Sequence, residues 1–353
     1  MKTLKKAFLY LAIAISAAFT ACNKDDDNSA EGAFSNGIFI VNEGQYSGGT
    51  GTITYFNPDS NLVKQNIFEL VNDRPLGNIA QSMTIFNGKA YIAVNNAQKV
   101  EVADVATFKS TGTIFGLANP AQFLGINDKT GYVSDWDGHV KVIDLTTNTV
   151  SNTIKVGTGP DMMVKTSKYV FVANAGGFGI DSTVSVIDYA TNQVVKTIKV
   201  GDAPAGMVMD GKGKIWVICK GKGFSGWPAA GDTPGKIMRI DPATLAVDYT
   251  FSFSSTGDHP EKLVIDKAGT VLYFLFNNAI YSFNTATASP VPQKLVSRYF
   301  YSLGYENKTG YLYASDPKNY TNAGIVLRIK ASDGSVVDSV QAGIVPRWFT
   351  FTE

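Results

Sequence analysis

Residues 160–200 read as four short runs divided by turns: Pro160-Asp-Met-Met-Val-Lys, Tyr169-Val-Phe-Val-Ala, Thr183-Val-Ser-Val-Ile-Asp and Val195-Lys-Thr-Ile-Lys-Val. Each run is rich in β-branched or aromatic side chains, which fit a pleated, half-buried surface. The segment Asp188-Tyr-Ala-Thr-Asn places Asp and Asn where a tight reversal needs them. Four antiparallel strands of this length form one small sheet, which cannot bury both of its faces alone. The sequence must therefore supply neighbours of the same kind.

It does so by repetition. Pro120-Ala-Gln-Phe-Leu-Gly-Ile, Pro204-Ala-Gly-Met-Val-Met, Pro260-Glu-Lys-Leu-Val-Ile and Pro346-Arg-Trp-Phe-Thr-Phe open further copies of the unit. The five prolines are 40, 44, 56 and 86 residues apart, the last interval being twice 43, so one copy lies between Pro260 and Pro346. It starts near Phe300, where Asn307-Lys-Thr-Gly-Tyr-Leu-Tyr repeats the pattern of Asn127-Asp-Lys-Thr-Gly-Tyr-Val. Upstream, Ile79-Ala-Gln-Ser-Met-Thr-Ile aligns with the Pro120 copy. Inner strands near 79, 120, 160, 204, 260, 300 and 346 make seven units, a period that signals stacked or radial repeats.

The last unit has one strand of its own. Gly37-Ile-Phe-Ile-Val-Asn, Gly51-Thr-Ile-Thr-Tyr-Phe and Val63 to Val71 offer the three strands it lacks. The expected fold is all-β, a seven-bladed β-propeller over residues 34–353 closed by the C-terminal strand joining the N-terminal blade. Closure matters because radial repetition leaves only short, protected sheet edges. Almost nothing after Cys22 has helical periodicity, and Trp136-Asp137 falls in a loop, away from the WD40 position.

The first 33 residues are of another kind. Lys2, Lys5 and Lys6 precede an apolar run from Ala7 to Phe19, and Thr20-Ala-Cys22 follows. This reads as a lipoprotein signal peptide over residues 1–21, with lipidation at Cys22. Residues 22–33 read as an acidic linker, in which Asn23-Lys-Asp-Asp-Asp-Asn resembles the export tag of Bacteroidota surface lipoproteins. The expected location is the outer membrane, lipid-anchored and exposed at the cell surface. No later apolar run approaches the ~20 residues of a spanning helix.

Removing residues 1–21 takes away three lysines and no acid, so the formal charge changes from +1 to −2. No positive stripe exists for nucleic acid, and no nucleic-acid partner is expected. The second of the two cysteines, Cys219, lies in an apolar run and reads as core.

In a propeller, loops joining second to third strands share a face with the connections leading into the inner strands. Five of the seven second-to-third loops carry aromatic residues: Tyr46, Trp136, Phe178, Phe224 with Trp227, and Tyr320. Inner-strand starts aim Gln81, Gln122, Asp161, Met162, Glu261, Lys262, Tyr301, Arg347 and Trp348 at the channel mouth. Aromatic and amide groups on a rigid scaffold suit a bulky, mostly uncharged ligand. The expected ligand-binding set is Tyr46, Gln81, Gln122, Trp136, Met162, Phe178, Phe224, Trp227, Tyr301, Tyr320, Arg347 and Trp348.

Catalytic motifs are sparse. Only His139 and His259 are available for a triad or a metal site, and no catalytic residue, metal or cofactor is expected. Gly221-Lys-Gly-Phe-Ser-Gly226 spells GxGxxG but leads to Trp227-Pro228 instead of a helix, so no dinucleotide site follows. Asp135 and Asp137 lack the regular spacing of a calcium loop.

The Pro-opened units with their Val-Ile-Asp and Thr-Ile-Lys-Val-Gly endings resemble the YncE-like, surface-layer-type seven-bladed propellers. Ile40-Val-Asn-Glu-Gly-Gln-Tyr, Leu76-Gly-Asn-Ile-Ala-Gln-Ser-Met and Lys89-Ala-Tyr-Ile-Ala-Val are similar to the Bacteroidota lipoproteins that include the BtuG-type corrinoid binders. That resemblance implies capture of cobalamin or another corrinoid and its delivery to a TonB-dependent outer-membrane transporter. Two other readings stand beside it. One is a propeller enzyme, such as a metal-assisted lactonase or a quinoprotein-like oxidoreductase; the other is a surface module for adhesion or for glycan or protein binding.

Overall fold

Seven four-stranded antiparallel sheets are arranged as blades in a ring, in a computed structural model that describes residues 34–224 and 226–352. The segments read as a signal peptide and an acidic linker, with Cys22, lie outside the described residues. Six blades are continuous in sequence, and the seventh combines Pro346–Phe351 with Ile38–Asn42, Thr52–Asn57 and Leu62–Lys64. Its closing ladder sets Ile38 opposite Phe351, Phe39 opposite Thr350 and Ile40 opposite Phe349. The fold and its closure are those expected from the repeats. No described helix is long and apolar enough to cross a membrane.

The core consists of seven apolar clusters, each between the facing surfaces of two successive blades. Because side chains alternate along a strand, each middle strand feeds both neighbours. Ile215, Val217 and Cys219 pack toward the preceding blade, while Trp216 and Ile218 pack toward the following one. This two-sided burial is why the second strands read as unbroken apolar runs.

Polar struts join the inner strands of adjacent blades. Ser82 Oγ donates to Ala121 O (2.6 Å), Thr84 Oγ1 to Phe123 O (2.9 Å) and Thr350 Oγ1 to Met83 O (2.7 Å). Buried donors and acceptors are thereby satisfied near the axis, where an unmade bond would cost about 1–3 kcal/mol.

One expected element is different. Val63 to Val71 does not form a strand throughout; after Leu62–Lys64 the chain turns into a short helix, Ile67–Asn72. Neighbouring residues of a strand point to opposite faces, yet Ile67 and Phe68 are both buried in the cluster between the closing blade and the next. A helical turn satisfies both. Asn72 then fastens it, donating to Phe108 O (3.0 Å) and accepting from Ser110 N–H (2.7 Å).

Cys219 is fully buried, and burial pushes its thiol up to about 12. A thiol reagent at neutral pH should leave Cys219 unmodified in the folded protein and label it on denaturation. Stoichiometric labelling of Cys219 in the native state, located by mass mapping, would contradict this placement.

Candidate functional site

The channel is lined by residues that a strand irregularity turns inward. In six of the seven blades the pairing of the inner strand slips at its first residues. The slipped positions are Gln81, Ala121, Asp161 with Met162, Ala205, Lys262 with Leu263, and Arg347, and all of them line one cavity of about 550 Å³. A bulge leaves a residue without a ladder partner and re-aims its side chain. Here the bulges aim into the axis.

Charged groups gather at this level. Arg347 Nη1 lies 3.2 Å from Glu43 Oε1, and Tyr301 Oη donates to Glu43 Oε2 at 2.8 Å. Glu43 itself is fixed by its backbone N–H, which donates to Val345 O at 2.9 Å. Lys220 Nζ pairs with Glu261 Oε2 at 3.1 Å, and Lys262 Nζ stands 5.6 Å from the centre of the Tyr301 ring. Burial, reinforced by the Arg347 guanidinium, pushes the Lys262 amine down to about 8 against the pull of Glu261, Asp161 and Glu43. It therefore keeps most of its charge at neutral pH and loses it as pH rises through that value. Burial raises the Asp161 carboxyl above the usual range, although Arg347 and Lys262 oppose the shift. Both groups are driven toward their neutral forms by the same enclosed surroundings.

The twelve residues expected from sequence do not form one surface. Gln81, Met162, Arg347 and Trp348 line the cavity. Tyr301 sits beside them, bonded to Glu43, with Tyr320 edge-on to its ring at 5.7 Å. Gln122 does not face the channel. Its bulge falls on Ala121, so Gln122 is returned to the ladder and its Oε1 accepts the Met163 N–H at 2.6 Å, a strut between blades.

The other expected residues stand on the loop rim. Trp136 and Phe178 meet edge to face at 5.4 Å, and Phe224 and Trp227 bridge across one hairpin. Tyr46, Phe178, Phe224 and Trp227 are 77–81% exposed. None of the six rim aromatics is among the residues lining the cavity. Rim and cavity thus have different linings and meet where Tyr320 packs on Tyr301, whereas the expectation from sequence is one shared pocket.

Sequence reasoning missed three contributors. Phe115 and Tyr299 are exposed on connections into inner strands, and Tyr299 Oη lies 2.6 Å from Tyr320 Oη. With them, all seven exposed aromatic residues among those described lie on this one face. Glu43 is the third; its place in the repeat, just after a second strand, could have marked it as facing the mouth.

Residues considered for chemistry have local partners. Asp135 is buried and accepts from Ala118 and Asn119 N–H (2.8 and 2.7 Å), and Asp137 pairs with Lys141 (2.6 Å). His139 Nδ1 lies 3.1 Å from Asp137, and His259 Nδ1 lies 2.7 Å from Lys220 O. Among the described residues no group of three His, Cys, Asp or Glu is arranged to hold a metal ion.

Residues 36–343 match the family described as Domain of unknown function (DUF5074). No curated protein matches the chain in sequence. Solved structures share the architecture. A quinoprotein alcohol dehydrogenase-like protein of Bacteroides thetaiotaomicron has a TM-score of 0.67 at 16% identity, over 91% of this chain and 79% of that one. A candidate 6-phosphogluconolactonase of Bacteroides fragilis gives 0.67 at 13% identity, over 90% and 98%. Kuenenia stuttgartiensis hydrazine synthase gives 0.62 at 17%, over 76% and 88%. At such identities the likeness shows the fold alone.

Proposed function

The chain belongs to the DUF5074 family, and on that premise we propose that it is a surface capture protein, anchored through Cys22 to the outer membrane. It holds a bulky small molecule, with cobalamin or a related corrinoid as the first candidate, and passes it to a TonB-dependent transporter. The observation that carries this reading is the concentration of every exposed aromatic among the described residues on one loop face. Rings of this kind give large contact area at low entropic cost, and a rigid ring of blades limits the ordering penalty of binding. The corrinoid assignment draws on the resemblance of Ile40 to Tyr46 and Leu76 to Met83 to BtuG-type lipoproteins. Its mechanism is affinity without chemistry, and the lipid tether keeps the captured ligand close to the transporter.

Cobalamin should raise the thermal unfolding midpoint of the purified protein; at a hundred times Kd the gain in stability is about 2.7 kcal/mol. The double substitution Phe224→Ala with Trp227→Ala should weaken binding by about tenfold or more while leaving the ligand-free midpoint unchanged, since both rings are exposed. No shift at saturating cobalamin would remove the corrinoid assignment.

A further inference from the structure

Among the described residues, two charged side chains at the level of the inner-strand bulges, Lys262 and Asp161, have no counter-ion. Glu43 is paired with Arg347 and Glu261 with Lys220. Among the described residues, Lys262 Nζ has no carboxylate oxygen and Asp161 no cationic nitrogen within 4.0 Å, and neither side chain makes a hydrogen bond. Both line the same cavity, on blades separated by the one that begins at Pro204. That intervening blade presents only Ala205 and Gly206 at the same level, so space is left between the amine and the carboxyl. Met162, Met207, Leu263 and Trp348 give the same cavity an apolar strip, and Asp210, Asp266, Lys267 and Asn307 also line it.

We propose that the central channel is a binding site for a zwitterionic ligand, an amino acid or short peptide with an apolar body. Its carboxylate sits against Lys262 and Arg347, its ammonium against Asp161, and its body against the methionines and Trp348. Enclosed charges are costly unless paired, and a ligand bearing one charge of each sign completes both ions at once. A dianion such as phosphate would satisfy Lys262 but meet Asp161, Glu261 and Glu43 at close quarters. The formal charges of Lys262, Arg347 and Lys220 balance those of Glu261, Asp161 and Glu43, so the site matches a ligand with one charge of each sign and has no excess positive charge for a dianion. This site has a lining different from that of the aromatic rim, which meets it at Tyr301 through the edge-on Tyr320 ring.

The test is titration calorimetry on the purified chain with three probes of the same body: L-phenylalanine, 3-phenylpropionate and phenethylamine. L-Phenylalanine is expected to bind, with the two singly charged analogues at least tenfold weaker. Lys262→Met and Asp161→Asn should each weaken L-phenylalanine at least tenfold while leaving Trp227→Ala without effect on it. Equal binding of 3-phenylpropionate would make this a plain anion site and overturn the proposal. So would no heat from millimolar L-phenylalanine, or binding unchanged in both variants. Should either variant fail to fold, the three-probe series on the wild-type chain decides alone.

Discussion

A chain ending at Val345 is expected to lose cooperative folding as a monomer. The residues removed include Pro346–Phe351, which forms the inner strand of the closing blade and pairs along the whole of Ile38–Asn42. Three consequences add. Phe349, buried, and the partly buried Trp348 and Phe351 leave their clusters, at roughly 1.5–3 kcal/mol for each fully buried large side chain. The ladder bonds vanish with the strut from Trp348 Nε1 to Met83 O (3.0 Å), at about 1 kcal/mol each. Finally, Ile38–Asn42, buried at every position, becomes an open edge. The combined loss is on the order of 10 kcal/mol, comparable with the whole stability of about 5–15 kcal/mol usual for a domain. Size-exclusion chromatography should find aggregate or swapped oligomer. A monomeric truncated chain with a sharp, wild-type-like denaturant transition would refute closure by this strand.

Glu101 is the second position where one substitution should be severe. Its carboxylate is fully buried and accepts from Arg74 Nη2 (2.6 Å), Ser110 Oγ (2.6 Å) and Lys99 Nζ (2.9 Å). Arg74 also lies over the Phe68 ring at 4.9 Å, so the acid ties the short helix and its following connection to the first blade. Glu101→Ala leaves the partly buried Lys99 without its counter-ion and opens a cavity. A loss of about 3–5 kcal/mol is expected in urea denaturation at neutral pH, and about half of that for Glu101→Gln, which keeps the shape.

The same acid sets a pH dependence. Burial acts to raise the Glu101 carboxyl, but the hydrogen bonds from Arg74, Ser110 and Lys99 outweigh it and hold the group below the usual range. A depressed folded value means that the unfolded chain binds the proton more readily. The stabilisation is therefore present above the unfolded value of about 4.3 and is lost as pH falls from there through the folded value. The gap in stability between wild type and Glu101→Gln should narrow over that acidic window. A gap constant from neutral pH down to about pH 3 would show that the charge contributes nothing.

The architecture was legible because a blade is a local object. Strand period, turn chemistry and the proline-opened repeat are all carried by residues within about 45 positions of one another. Counting the repeats gave the number of blades, and the missing strands of the last unit gave the closure. The Ile67–Asn72 helix escaped because its six residues carry too little periodicity to separate from a strand; burial of both Ile67 and Phe68 is a property of the packed ring.

By itself the sequence determined that seven similar sheets surround an axis and that aromatic loops share one face, since connectivity puts those loops there whatever the details of packing. Which side chains enter the channel was decided by tertiary structure. A slip of one residue in strand pairing moves a side chain from one surface to another, and those slips follow from how each inner strand meets its neighbours. That is why Gln122 became a strut between blades while Lys262 and Asp161 face the cavity. It is also why Arg347 finds Glu43, 304 residues away along the chain.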